Sequence, residues 1–532
     1  ILLQERKALH GRIGRAIESL FAGRLDEFTG PLAYHFARAE EWPRARAYLL
    51  AAGDQAGRIA ADAEALSYYG RALRAYEPAA GDGGWPAWQR GRVERKMAEA
   101  LLRRGQHIEA LDYLRRALDH LGEPPLPSST WGVRRLIAVE LLRQLGYRLL
   151  PWLSLRRPTR KPAAEIDELA RVHFAFGGVA AFMNQERFFA TALRGLNLSE
   201  RLRSAYGISV GSAALGLSAD FLAAFKLAGF YHRRALAAAR QLENPAAVGF
   251  AHSSLAYHAI LQADWAGVEA NYRLGAAALE EAGDLRYWGF ITVFRCFSDM
   301  AQGRFAGVAE QAAEMLRRAE ASADRQLMAW ARLVRGNLQR LQGEFEAAAA
   351  DLRLALELAQ AVPDTPAGCG AACELARALL GLGRPRQALA AIQQAEAIYT
   401  AGGAPAPSAW LYRFGRPAVY LALAEGDHNG RSGEWLEIAG TACLDAWRAT
   451  RTYRGATAEA AVWRGSYLWL SGFPISARRW WRRGLAAAER LGQPYDRAMG
   501  LHEIGRHTAD AGLLAKARTL FQELGAAAPA NG

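Results

Sequence analysis

Few residues in this chain stand at spacings that could do chemistry, and each set lacks its partners. A phosphate-cradling loop needs Gly-x4-Gly-Lys-Ser/Thr. The five lysines (Lys7, Lys96, Lys161, Lys226, Lys516) are each followed by another residue type, so the chain carries no such loop. GISVG, residues 207–211, has the G-x-S-x-G form of a nucleophile elbow around Ser209. That elbow needs a strand before it, a helix after it, and Asp and His partners. Here SERLRSAY reads as helix and GSAALGL opens another, so Ser209 reads as a loop at a helix start. Cys369 and Cys373 share one helix face, and His252 and His258 stand six apart, but a zinc site wants four ligands at recognisable spacing. They read as packed core thiols and helix histidines. Glu280–Glu281 falls on a solvated face. The expectation is a chain without catalytic residues, cofactor or metal.

The elements around these residues read as helix nearly throughout. Ala, Leu, Arg, Glu and Gln dominate, apolar residues recur three and four apart, and no run alternates β-branched residues, so no sheet is expected. The internal signal is a period. Ala223, Ala263, Gly303, Gly343 and Gly383 stand 40 apart. Two residues after each come Phe225, Trp265, Phe305, Phe345 and, breaking the pattern, Pro385. Seven before each stand Gly216, Ala256, Cys296, Gly336 and Ala376; five after stand Ala228, Val268, Val308, Ala348 and Ala388. A turn residue that tolerates unusual φ/ψ, flanked by small residues, lets two antiparallel helices approach closely. The frame recurs at Gly105, Gly472 and Gly512, and slips between Gly383 and Gly472, with Gly426 as the irregular member. This pattern resembles tetratricopeptide repeats lengthened from ~34 residues. The predicted fold is all-α, a TPR-like α-α superhelix of helix pairs.

Four sections are expected: an N-terminal array over 1–122, a basic Leu/Arg-rich insertion over 123–163, forty-residue repeats over 164–400, and further repeats over 401–532. Lys plus Arg exceed Asp plus Glu by 66 − 53 = 13. The stretch 131–162 alone has eight basic residues against Glu140, a net +7. A nucleic-acid tracker spreads basic charge along a face. This chain concentrates it, so direct nucleic-acid binding is not expected. The longest uncharged apolar run, 205–219, stops at Asp220, short of the ~18 residues of a membrane span. Four cysteines fit a reducing compartment, and a cytoplasmic location is expected.

Two surfaces are candidates for binding. In helical-repeat arrays the first helix of each pair lines the concave face. Residues six before the turn form a column, Tyr257, Phe297, Asn337 and Arg377, with Trp330 and Arg340 beside it. The alternative is that some fill the core between repeats. The second surface is the insertion, with Arg134, Arg135, Arg143, Arg148, Arg156 and Arg157 among its leucines. Its leucines can pack on the array, its arginines can meet an acidic partner, or the segment can lie on an anionic bilayer.

Beyond the period, Glu5 to Leu73 carries a recognisable series: Glu5-Arg6-Lys7 with Leu9-His10, Ile13-Gly14 with Ala16-Ile17-Glu18, Leu32-Ala33-Tyr34-His35-Phe36, and Ala51-Ala52-Gly53-Asp54. It resembles the segment that follows the nucleotide-binding and winged-helix modules of bacterial STAND-type ATPases. The resemblance is greatest to those fused to class III adenylate/guanylate cyclase or Ser/Thr kinase domains. The insertion and Ala192 to Leu202 also look like the long C-terminal region of that group. The resemblance implies the sensor arm of a regulator whose chemistry lies upstream, and the opening at Ile1 fits a piece of a longer protein. Its partners would be its own ATPase and effector domains and an unknown protein or small-molecule ligand. Rival readings are the arm of a STAND transcriptional regulator and a peripheral membrane-binding scaffold.

Overall fold

The computed structural model describes residues 3–58, 61–75, 86–150, 161–401, 409–426 and 432–528. Among the described residues there are twenty-five α-helices and no strand, as the composition predicts. Arg156 and Arg157 lie outside the described residues, as do residues 402–408. The chain divides into two compact units: residues 1–179 with 190–208, and residues 180–189 with 209–532.

In the larger unit the period has a physical basis. Its helices Phe225–Gln241, Pro245–Leu261, Trp265–Ala282, Leu285–Ala301, Phe305–Ser322, Arg325–Gln342, Phe345–Ala361 and Thr365–Gly381 run 17 or 18 residues each. Between them the backbone turns at positive φ at Ala223, Ala263, Gly303, Gly343 and Gly383, the forty-residue series. The small positions flanking these turns close the pairs. Ala228, Val268, Val308, Ala348 and Ala388 are fully buried, as are Ala256, Cys296 and Ala376. A Cβ at Gly216 would lie 2.5 Å from the His232 ring, and one at Gly336 would lie 2.7 Å from Leu352.

A second series, unread in the sequence, sets the start of each pair. Asn244, Asp284, Asp324 and Asp364 stand forty apart, each accepting a hydrogen bond from the backbone N–H three residues on, at 3.0 to 3.1 Å. Each satisfies an orphan donor of the first turn. Positive φ also recurs midway between the first turns, at Glu243, Gly283 and Ala323, so a forty-residue repeat is two twenty-residue helix-and-turn steps. The array also curls back on itself. Trp265 donates its indole N–H to the Leu491 carbonyl at 2.8 Å, and Ala527 N–H donates to the Leu341 carbonyl at 2.8 Å.

Two expectations need correction. Gly512 is not a turn: it sits in the helix Ala511–Leu524, and the chain reverses at Ala509, φ 52°. The preceding helix, Pro494–Thr508, has 15 residues, and Asp510 caps the next by accepting from Gly512 and Leu513 N–H, so the last repeat is shortened. Ser209 is not in a loop either. Ser204 accepts from Gly207 N–H at 3.0 Å and starts the helix Ala205–Phe221 four residues before it.

The smaller unit uses the same pairing at its N-terminal end. Helices Trp42–Arg58 and Asp62–Arg74 meet where Gly53 leaves room for the Tyr69 ring, whose hydroxyl donates to Asp54 at 2.8 Å. Ala87–Arg103 and His107–His120 reverse at Gly105, φ 76°, as the frame predicts. Two motifs of the Glu5–Leu73 series meet here: a Cβ at Gly14 would lie 2.9 Å from the Phe36 ring.

The helix Thr130–Leu149 departs from one of the three readings of the insertion, that its leucines pack on the array. Its buried residues are Val133, Glu140 and Gln144. Asn197 holds Glu140, donating to its carbonyl and to its carboxylate at 2.8 Å each. Leu141, Leu142, Leu145, Leu149 and Leu150 are exposed. The leucines therefore do not cover the unit, because the polar stripe is the one with buried partners. Among the described residues no helix is long and apolar enough to cross a membrane.

Candidate functional site

The four first helices Pro245–Leu261, Leu285–Ala301, Arg325–Gln342 and Thr365–Gly381 each start at a side-chain cap, and the candidate column lies thirteen residues beyond it. Equal starts and equal lengths give Tyr257, Phe297, Asn337 and Arg377 the same angular position on successive helices. Successive first helices also touch one another, forming an inner layer. The structure brings all six candidates to the walls of two adjoining cavities of about 120 Å³ each. Tyr257 and Trp330 line the first, Asn337, Arg340 and Arg377 the second, and Phe297 both.

The first cavity is aromatic. Phe182, Phe221, Phe290 and Phe294 join Tyr257 and Trp330 around it. Phe182 lies 5.7 Å from Trp330 and Tyr257 lies 5.2 Å from Phe294, centroid to centroid. Its one carboxylate, Asp364, is buried and accepts from Trp330 Nε1 and Gln326 Nε2 at 2.8 Å each. Burial raises Asp364 above the usual carboxylate range, and those bonds oppose the rise in part. Burial likewise raises the Tyr257 phenol, with the Asp220 charge adding to it.

The second cavity is charged. Glu374, fully buried, accepts from Arg340 Nε, and from Arg377 Nη1 at 3.2 Å. Burial would push its carboxyl up, but the two guanidiniums hold it below the usual range. Arg340 also donates to Asn337 Oδ1 at 2.8 Å, and Arg377 pairs with Glu459 at 3.2 Å. Asp496, on the same wall, makes no ion pair among the described residues. Burial and the neighbouring Glu459 charge raise its pKa, against the pull of Arg377. Three carboxylates thus face two guanidiniums. Phe297 and Trp410, 4.8 Å apart, line both cavities.

Several of these residues had a sequence signal that went unread. Phe290, Phe294 and Phe297 stand at i, i+4 and i+7 on one helix, and Asp364 belongs to the forty-residue cap series. Trp410, Glu459 and Asp496 follow the phase slip, so the period could not place them.

The remaining sets resolve as follows. His258 pairs with Asp220 and His232 rather than with His252. Asp220 Oδ2 lies 2.8 Å from His232 Nε2, and Oδ1 lies 2.6 Å from His258 Nδ1. His252 faces Asn271 Oδ1 at 2.9 Å. Among the described residues this Asp–His–His group is the one cluster whose atoms could hold a metal ion. Each of those atoms is engaged in a hydrogen bond within the cluster. Cys369 and Cys373 are free and buried, their thiols raised by burial, Cys369 to about 12. The Ser209 hydroxyl donates to the Ala235 carbonyl at 3.1 Å. Glu280 and Glu281 are exposed, with Glu280 paired to Arg318 at 2.9 Å.

In the smaller unit, Arg134, Arg135, Arg143 and Arg148 are all exposed. Arg143 pairs with Glu140 at 2.6 Å, Arg148 pairs with Glu200, and the Arg135 guanidinium lies 5.8 Å from the Trp131 ring centre. A cavity of about 390 Å³ beside this helix is lined by Arg143, Arg194 and Arg201 with Glu123 and Glu140.

No family model matches the chain, and no curated protein matches its sequence. Among solved structures, a Rap protein complexed with Competence and Sporulation Factor aligns at 12% identity, covering 82% of this chain and 99% of that one, with TM-score 0.36. Human IFIT1, solved as a dimer with m7Gppp-AAAA, aligns at 17% identity over 75% of this chain and 90% of that one, also at TM-score 0.36.

Proposed function

We propose that the larger unit is a non-catalytic recognition scaffold, and that its groove takes a peptide segment pairing an apolar or aromatic side chain with a cation. The observation that carries this is the forty-residue column, which faces two adjoining cavities of opposite character. The aromatic cavity fits a flat or branched apolar group. In the second, Asp496 stands beside Glu459 with Arg377 already engaged, and a guanidinium or ammonium there would relieve the repulsion between the carboxylates. Selection of a displayed random heptapeptide library on the full chain tests the reading. Enrichment of an aromatic or branched apolar residue next to Arg or Lys, lost on Asp496→Asn, supports it. Enrichment of acidic motifs, or selections unchanged by Asp496→Asn, overturns it.

The finer reading is that this scaffold is the sensor arm of a multidomain STAND-type signalling ATPase of the cyclase-associated or kinase-associated type. The series from Glu5 to Leu73 supports it, together with the Leu/Arg-rich insertion. A ligand in the groove would bias the attached ATPase only by binding its two states unequally. The coding sequence upstream of Ile1 decides the matter. A P-loop followed by a winged-helix module there supports the reading, and a helix-turn-helix DNA-binding domain favours the transcriptional-regulator arm. An upstream sequence without an ATPase domain removes both.

A further inference from the structure

The helix Thr130–Leu149 turns its apolar side outward. Taking ~100° per residue, Trp131, Leu142, Leu145 and Leu149 fall within about 40° of one line along the helix. Their exposures are 71%, 70%, 53% and 70%. On the opposite side lie the buried Val133, Glu140 and Gln144. Soluble helices bury the apolar stripe and expose the polar one. This one is anchored to its unit by polar contacts, Asn197 to Glu140 among them, and leaves its apolar ridge without cover among the described residues.

Charge frames that ridge. Arg135 and Arg143 lie along one flank, Arg134 and Arg148 along the other. The only carboxylate of the helix, Glu140, is on the buried side. The chain continues with Arg156, Arg157, Arg160 and Lys161. An apolar ridge between two basic strips, with a Trp near one end, matches a plane whose interior is apolar and whose headgroups are anionic. The four ridge side chains would enter the acyl boundary while the flanking guanidiniums, exposed although Arg143 and Arg148 are paired with Glu140 and Glu200, faced the lipid phosphates.

We infer that Thr130–Leu149 is an in-plane docking face for an anionic membrane surface. The helix belongs to the smaller unit, so this face does not depend on what the larger unit's groove binds. The test is co-sedimentation of the full chain with vesicles, either of phosphatidylcholine alone or with about a third phosphatidylserine. The wild type pellets with the anionic vesicles at low salt and is released at high salt. Leu142→Glu/Leu149→Glu and Arg134→Glu/Arg135→Glu each lose roughly tenfold or more in vesicle affinity. Circular dichroism shows both variants folded, since the replaced side chains are exposed. A wild type that stays in the supernatant overturns the inference, as does a leucine variant that pellets like the wild type. A concentration-dependent dimer that Leu142→Glu/Leu149→Glu abolishes, without vesicle binding by the wild type, also overturns it and reassigns the face to a second copy of this chain.

Discussion

The forty-residue repeats and the helix Thr130–Leu149 use similar residues to opposite ends. In the repeats, Leu327 and Leu352 are buried where the small-residue frame lets helices close on them. In the 130–149 helix, Leu142 and Leu149 face outward while Glu140 and Gln144 are inside. The difference teaches that leucine content does not decide which side of a helix is core. What decides it is whether a neighbouring helix can come near enough, and which groups have buried partners when it does.

The sharpest way to break this contrast is to remove a buried charge from the repeats. Glu374→Ala leaves Arg340 and Arg377 without their shared carboxylate, and a loss of about 3–5 kcal/mol is expected in urea unfolding. A loss under ~1 kcal/mol would mean the two guanidiniums reach water and the cavity is not closed around them. Packing comes next. Gly336→Ala puts a methyl 2.7 Å from Leu352 and 3.3 Å from the Ala348 carbonyl, and should cost about 1–3 kcal/mol. Gly307→Ala, with nothing within 4 Å of its added carbon, should be stabilising by about 0.5–1 kcal/mol. Similar values for the two would dissolve the register argument.

The cap series gives a smaller effect. Asp324→Ala should cost about 1 kcal/mol, and Asp324→Asn far less, because the amide oxygen still accepts from Leu327 N–H. In the smaller unit, burial raises Glu94 from the usual 4.5 to about 7, against the charges of Arg116 and Arg90. The folded unit then holds a proton that the unfolded chain has released, so stability falls as pH rises from about 4.5 to 7. Glu94→Gln should flatten that slope in thermal melts across the interval. The smallest expected effect belongs to the outward ridge: Leu142→Glu/Leu149→Glu should shift stability by no more than about 0.5 kcal/mol per site. A large loss would show that the ridge is covered.

How far the fold could be read from the sequence follows from the same physics. Small residues at the turns were legible because close helix approach admits little else. Ala223, Ala263 and Gly303 share a conformation, and their flanking positions share a volume limit. The other turns, at Glu243, Gly283 and Ala323, have no common residue type, although the caps one residue later, Asn244, Asp284 and Asp324, repeat plainly. The column was legible because equal helix lengths carry one angular position from repeat to repeat. Trp410, Glu459 and Asp496 reach the groove after the phase slips, where no fixed offset survives. The inversion at 130–149 was not legible, because Glu140 is drawn inward by Asn197, fifty-seven residues away in sequence.

The most direct test of the recognition reading is calorimetric titration of the best library-selected heptapeptide into three forms of the full chain. These are the wild type, Trp330→Ala for the aromatic half and Asp496→Asn for the charged half. The account predicts that each variant, folded by circular dichroism, weakens binding at least tenfold, equivalent to ~1.4 kcal/mol. Equal affinity for all three would place the peptide elsewhere and contradict the groove.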